Sequence, residues 1–132
     1  MPLQIEKVGQ VALDVRNIER ATAFYRDVLG LRHLFSAPPR MAFFDCAGLR
    51  LLLGEPEQGA EAHGSALLYY QVPDINAAHA DLTKSGVEVD AAPHFVAKMP
   101  DHELWLATYR DGEGNTFALM CEVRSSAPAL LA

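Results

Sequence analysis

The pattern of hydrophobic and polar positions changes period once along Val8–Leu31, VGQVALDVRNIERATAFYRDVLGL. Val11, Leu13 and Val15 alternate with Gln10, Ala12 and Asp14, the period of two of a half-buried strand. Asn17 then offers a side-chain oxygen to the free amides of a first helical turn. Ile18, Ala21, Phe24, Tyr25, Val28 and Leu29 follow at helical spacing, so one helix face is apolar. Gly30 supplies the left-handed residue that stops such a helix. The odd-numbered strand positions go under the helix, which turns Gln10, Ala12 and Asp14 to the opposite face.

After Gly30 the pattern predicts a short connection through Pro38 and Pro39. A hairpin follows, with strands Arg40 to Asp45 and Leu49 to Leu53 around the turn Asp45-Cys46-Ala47-Gly48. Glu55 to Gly64 is polar, carries Pro56, and reads as a linker. Then the opening pattern returns. Leu67 to Val72 is a strand, Asp74 a helix cap, Ile75, Ala78 and Leu82 one helical face, and Gly86 the stop. A shift of 57 residues superposes Val15 on Val72, Asn17 on Asp74, Ile18 on Ile75 and Ala21 on Ala78. A shift of 66 lays the Asp45 to Gly48 turn on Asp111 to Gly114, flanked by strands Leu104 to Tyr109 and Thr116 to Val123. Repetition of caps, apolar faces and turns in one order implies a duplication. The expected fold is α+β: two tandem β-α-β-β-β modules in a curved, mixed, eight-stranded sheet. The expected organisation is one domain over 1–132, with module 1 at about 5–55, a linker at 56–64, module 2 at about 65–124 and a loose tail at 125–132. One helix covers only one face of each half-sheet, so the other face is left to line a cup.

Composition narrows the partners. The formal net charge is −6 and the 11 basic residues are scattered, which argues against a nucleic-acid backbone as partner. No apolar run approaches the roughly 20 residues of a membrane span, and MPLQIEKVG does not read as a secretion signal. Two cysteines, Cys46 and Cys121, make no disulfide framework and read as buried free thiols, which fits a reducing cytoplasm. Asp111 to Gly114 is a hairpin turn and not a phosphate loop, and no nucleophile elbow is visible.

The first strand-helix, VGQVALDVRNIERATAFYRDVLGL, and the last hairpin, RDGEGNTFALMCEV, resemble the corresponding parts of the vicinal oxygen chelate superfamily. That group includes glyoxalase I, bleomycin- and fosfomycin-resistance proteins and extradiol dioxygenases. The resemblance covers nearly the whole chain and implies their fold. It also implies a concave cup and a homodimer whose cups form between subunits. In metal-dependent relatives a divalent ion sits in the cup, held by His or Gln on the first strand of each module and Glu on the last. Carried onto this chain, the four positions are Gln10, Leu67, Leu52 and Ala118. Three of them are alkyl and offer no lone pair to a metal. The usual four-ligand metal centre is therefore not expected, nor is a cofactor.

Strand parity places Thr116, Met120 and Glu122 beside Ala118, Arg50 beside Leu52, and Tyr69 and Gln71 beside Leu67 on the cup face. If the hairpins close with four-residue turns, Met41 and Phe43 join Arg50, while Trp105 and Tyr109 join Thr116 and Ala118. The predicted lining is Gln10, Phe43, Arg50, Leu52, Leu67, Tyr69, Trp105, Tyr109, Ala118 and Met120, apolar with a few polar handles. His94 and His102 flank a loop-like segment leading into the strand of Trp105. With Glu122 they are the candidate acid–base residues, and with Gln10 and Glu122 the candidate ligands of a non-standard metal site. His33, His63 and His79 read as surface residues.

The leading expectation is a cytoplasmic, homodimeric protein that binds a small, partly apolar organic molecule in a metal-free cup. One alternative is a metal-dependent lyase, isomerase or dioxygenase working through Gln10, His94, His102 and Glu122. Another is a non-catalytic dimerising module.

Overall fold

The computed structural model of the chain describes residues 3–37, 39–56 and 66–124. The linker, apart from its first residue, and the tail lie outside the described residues, as do Pro38 and His63. The chain divides into two compact units. The first comprises Met1–Ala66 with Glu113–Asn115, and the second Leu67–Gly112 with Thr116–Ala132.

In the first unit, β1 (Gln10–Asp14) leads into α1 (Ile18–Ala23), and β2 (Arg32–Ala37), β3 (Met41–Cys46) and β4 (Leu49–Gly54) follow. The sheet order is β1-β4-β3-β2, with β1 parallel to β4 and the other pairs antiparallel. Asn17 caps α1 by accepting the Arg20 N–H at 2.9 Å. The helix buries Ile18 and Ala21, and Leu13, Val15, Ala42, Phe44, Leu51 and Leu53 complete this core. The α-helical winding ends at Ala23, earlier than the apolar spacing suggests. Phe24–Val28 is wound as a wider π-turn, with the Leu29 N–H donating to the Phe24 carbonyl. Tyr25, fully buried within it, meets Phe44 at a ring separation of 6.2 Å. Gly30, at φ 74, then reverses the chain.

The second unit repeats the plan. β5 (Leu68–Gln71), α2 (Ile75–Lys84), β6 (Glu88–Lys98), β7 (Glu103–Arg110) and β8 (Thr116–Val123) form a sheet of order β5-β8-β7-β6. Asp74 caps α2 through the amides of Asn76 and Ala77. Ile75 and Leu82 pack down with Ala107, Tyr109, Phe117, Leu119 and Cys121. Among the described residues each unit is thus a β-α-β-β-β module, and their eight strands hydrogen-bond as two four-stranded sheets.

Two strands lie where the sequence suggested connections. β2 occupies the expected loop before Pro38, and β6 occupies the expected loop around His94. Both are outer strands of their sheets and both are irregular. β2 shifts register between His33 and Phe35, leaving Leu34 as the extra residue. β6 shifts three times between Val89 and Ala97 and carries Pro93, which an edge strand tolerates. Alternation is broken in both, so the period of two is lost.

The two hairpins also differ in length, which corrects one expectation. β3 and β4 join through Ala47 and Gly48 alone, both at positive φ, and Phe43 faces Leu52 across the ladder. In the second hairpin Arg110 pairs with Thr116, leaving five residues in the loop. The partners of Ala118 and Thr116 are therefore Thr108 and Arg110, and Trp105 pairs with Cys121 and Tyr109 with Phe117. Trp105 and Tyr109 consequently point to the helix side and not to the open side.

Candidate functional site

The open face of the first sheet is built from β1, β4, β3 and β2. Register places Gln10 beside Arg50, Ala12 beside Leu52, Phe43 on the other side of Leu52, and Phe35 beside Phe43. Phe35 reaches this face only because the Leu34 bulge resets the alternation. Without the extra residue it would share a side with His33, whose ring lies 5.2 Å from Phe44 in the core. Phe35 and Phe43 stack with centroids 4.5 Å apart, and Phe35 remains 48% exposed. The Arg50 guanidinium lies 6.0 Å from the Phe43 ring centre. Among the described residues no carboxylate pairs with Arg50. Asp45, its cross-strand neighbour, accepts instead from the Gly48 N–H in its own turn at 3.2 Å.

On the second sheet, Leu67 and Tyr69 stand exposed at 44% and 50%. Tyr69 pairs with Ala118 and Gln71 with Met120, as parity predicts. Ala118 is fully buried. Leu104, Leu106 and Thr108 share this side through their β8 partners Glu122, Met120 and Ala118. Tyr109 does the opposite work. Its hydroxyl meets the His79 Nδ1 at 2.8 Å beneath α2, and burial pushes its phenol pKa up. His79, expected at the surface, is thus half-buried against the sheet, as is His33 beside Phe44.

Of the candidate acid–base residues, His102 and Glu122 come together and His94 lies apart. His102 lies in the turn between β6 and β7, with Nδ1 2.7 Å from the Asp101 carboxylate and Nε2 3.8 Å from Glu122. Arg124 bridges Glu122 and Asp101 at 3.1 and 3.3 Å. The hydrogen bond from His102 is the main reason that the Asp101 carboxyl sits below the usual range. A cavity of about 460 Å³ opens here, lined by Lys98, Pro100, Asp101, His102, Glu103, Val123 and Arg124. His94 is not in its wall. It lies on β6 opposite Leu106, with Nδ1 at 2.7 Å from the Ala92 carbonyl. Gln10 belongs to the first unit.

A larger cavity, about 580 Å³, lies beside α1 and the β2–β3 turn, lined by Ile18, Glu19, Thr22, Arg26, Ser36, Ala37, Pro39, Arg40 and Met41. No sequence pattern marked it. Its two arginines are already paired, Arg40 with Glu55 and Arg26 with Asp27.

The donor chemistry does not fit the superfamily's metal. Leu52 and Ala118 face the open sides, and Leu67 leads into that side of β5. Of the four positions only Gln10 carries a lone pair, and one amide does not hold a divalent ion. Among the described residues no three His, Cys, Asp or Glu side chains come together as a metal-holding group.

A family model for the Glyoxalase/Bleomycin resistance protein/Dioxygenase superfamily matches residues 7–119. The chain belongs to that superfamily. Solved structures agree in fold. A superfamily member from Sphaerobacter thermophilus is 26% identical, with a TM-score of 0.73 over 91% of this chain and 100% of that one. A lactoylglutathione lyase from Agrobacterium tumefaciens is 22% identical, with a TM-score of 0.66 over 89% and 94%. The fosfomycin resistance protein FosX from Listeria monocytogenes is 16% identical, with a TM-score of 0.69 over 89% and 94%. A comparison with curated protein sequences finds no match. Nor does any helix among the described residues have the length and apolarity to cross a membrane.

Proposed function

We propose that this superfamily member binds a small, partly apolar organic molecule on the open side of its sheets, without the four-ligand metal centre. One observation carries the reading. Where metal-dependent relatives place donors, this chain has Leu52, Leu67 and Ala118; on the first sheet half-buried Phe43 and exposed Phe35 follow Leu52 across the strands, and on the second exposed Tyr69 pairs with Ala118. Exposed rings and alkyl groups with a few polar handles suit desolvation of an organic ligand. Solved neighbours of this fold include a lyase and a drug-resistance protein, so the fold itself favours neither catalysis nor sequestration. The reading carries with it a homodimer and a cytoplasmic setting, and no step of it runs through a metal.

The test is thermal-shift screening of a chemically broad library against the intact protein. A ligand present at a hundred times its Kd contributes about 2.7 kcal/mol to native stability, which raises Tm by several degrees. Such a shift is expected for at least one compound class, and Leu52→Glu, which puts a charge among the rings, should abolish it. If no compound raises Tm, the binding reading fails, and light scattering then decides whether a dimerising module remains.

A further inference from the structure

We infer that the ligand class is a planar aromatic carboxylate, with its ring on Phe35 and Phe43 and its carboxylate on Arg50. This rests on the small-molecule reading and specifies its chemistry. The proposed subsite lies wholly in the first unit.

The ring platform comes first. Phe35 and Phe43 stack with centroids 4.5 Å apart and planes tilted by 22°, so each covers one face of the other and the pair leaves its outer ring area as the apolar platform. Half-exposed Phe35 leaves ring area for a third aromatic group. The charge comes second. Arg50 on β4 leans over Phe43, toward the middle of the face and away from the turn that holds Asp45. The ring restrains the guanidinium but takes none of its hydrogen bonds, so its planar fork stays free for a bidentate partner. A carboxylate matches that fork in shape and sign. Gln10, level with Arg50 on β1, offers an amide N–H to the same anion. The 4.5 Å and 6.0 Å separations keep the charge within one bicyclic molecule of the rings.

Charge on the face agrees. Among the described residues its other ionisable groups are Arg32 on β2, Asp45 between Arg32 and Arg50 and tied to the Gly48 amide, and Asp14, four residues along β1 from the Gln10 level. A strand rises about 3.3 Å per residue, so Asp14 lies about 13 Å away, beyond a Debye length at physiological salt. The overall charge of −6 favours cations at long range. Beside the Phe43 ring the cation is Arg50, and Arg32 adds a second positive charge on the same face.

Isothermal titration of the intact protein with 2-naphthoate and its neutral analogue 2-naphthamide tests this. Naphthoate should bind about tenfold tighter, as one charge-assisted hydrogen-bonded pair allows. Arg50→Gln should bring the two within about twofold by weakening naphthoate alone, and Phe43→Ala should weaken both. Arg50 is exposed, so the variant should keep the wild-type far-ultraviolet circular dichroism. Equal affinity for the two compounds, preference for 2-naphthylmethylammonium, or no binding of any naphthalene overturns the carboxylate inference. A library hit of another class in the thermal-shift screen would leave the small-molecule reading standing in each case. A screen with no hit brings down both.

Discussion

Glu113 lies in a hairpin loop, where a glutamate is ordinarily a solvated charge. Here its side chain is fully buried and tied to the first unit. It accepts the backbone amides of Arg16 and Asn17 at 2.9 and 2.8 Å and pairs with the Arg20 guanidinium. These are amides that the start of α1 leaves without helical partners. Nearby, Asn115 donates its side-chain amide to the Asp14 carbonyl at 2.9 Å, and Glu55 accepts the Ile18 N–H. Glu113→Ala strands two amides and a guanidinium, at a cost of about 2 kcal/mol in urea unfolding at neutral pH. Burial opposes the charge on Glu113, yet Arg20 and the two amides outweigh it and hold the carboxyl below the usual glutamate range. The unfolded carboxyl therefore takes up a proton at higher pH than the folded one does. Its stabilisation is complete above about pH 4.3 and is lost as pH falls through the lower folded-state value. The Glu55 carboxyl is lowered too, first by Arg40 and then by the Ile18 amide, so both act in the same direction. Unfolding followed from pH 7 to pH 3 should show stability falling on the acid side, and less steeply in Glu113→Gln. Equal acid slopes would assign the acid sensitivity to other carboxylates.

At the scale of elements, what could be read from the sequence depended on unbroken alternation. β1 alternates in sequence, β4 and β8 are apolar-rich runs that pair without a bulge, and the structure places all three within a residue of the expected spans. Both helix starts were legible because Asn17 and Asp74 are capping residues followed by apolar spacing. β2 and β6 were not, because bulges interrupt their alternation, and Phe35 was lost with β2. The π-turn after Ala23 leaves no mark in an apolar spacing. The side of β7 was hidden for a different reason. It depends on loop length, and the repeat that aligns Gly48 with Gly114 conceals a two-residue turn against a five-residue loop. One residue of difference in parity moved Trp105 and Tyr109 across the sheet. This placement can be checked. Tyr109→Phe removes the hydroxyl that meets His79, and should cost about 1 kcal/mol by chemical denaturation. Ligand affinity should not move, because the ring stays under α2. A Tyr109→Phe protein of unchanged stability but weakened ligand binding would return Tyr109 to the open side.

Across the whole molecule, the duplication was legible because offsets of 57 for the strand-helix and 66 for the hairpin carry one module onto the other, and the family resemblance maps its four ligand positions through those offsets. The chain then makes that repeat discontinuous, since the first compact unit takes Glu113–Asn115 from the second module's hairpin. The same four positions set the last expectation. A bound metal would need three or four oxygen, nitrogen or sulfur donors, and these positions supply one amide. Protein purified without chelator should therefore hold far less than one equivalent of zinc, nickel, manganese or iron by elemental analysis. An ion bound at a hundred times its Kd would contribute about 2.7 kcal/mol to stability, so stripping it would lower Tm by several degrees. Dialysis against EDTA should instead leave Tm unchanged. The opposite result has a defined address. His102 already lies 3.8 Å from Glu122 and 2.7 Å from Asp101, so near-stoichiometric metal that disappears in His102→Ala would place an ion at that cluster. It would also turn the function from ligand binding toward metal-dependent chemistry.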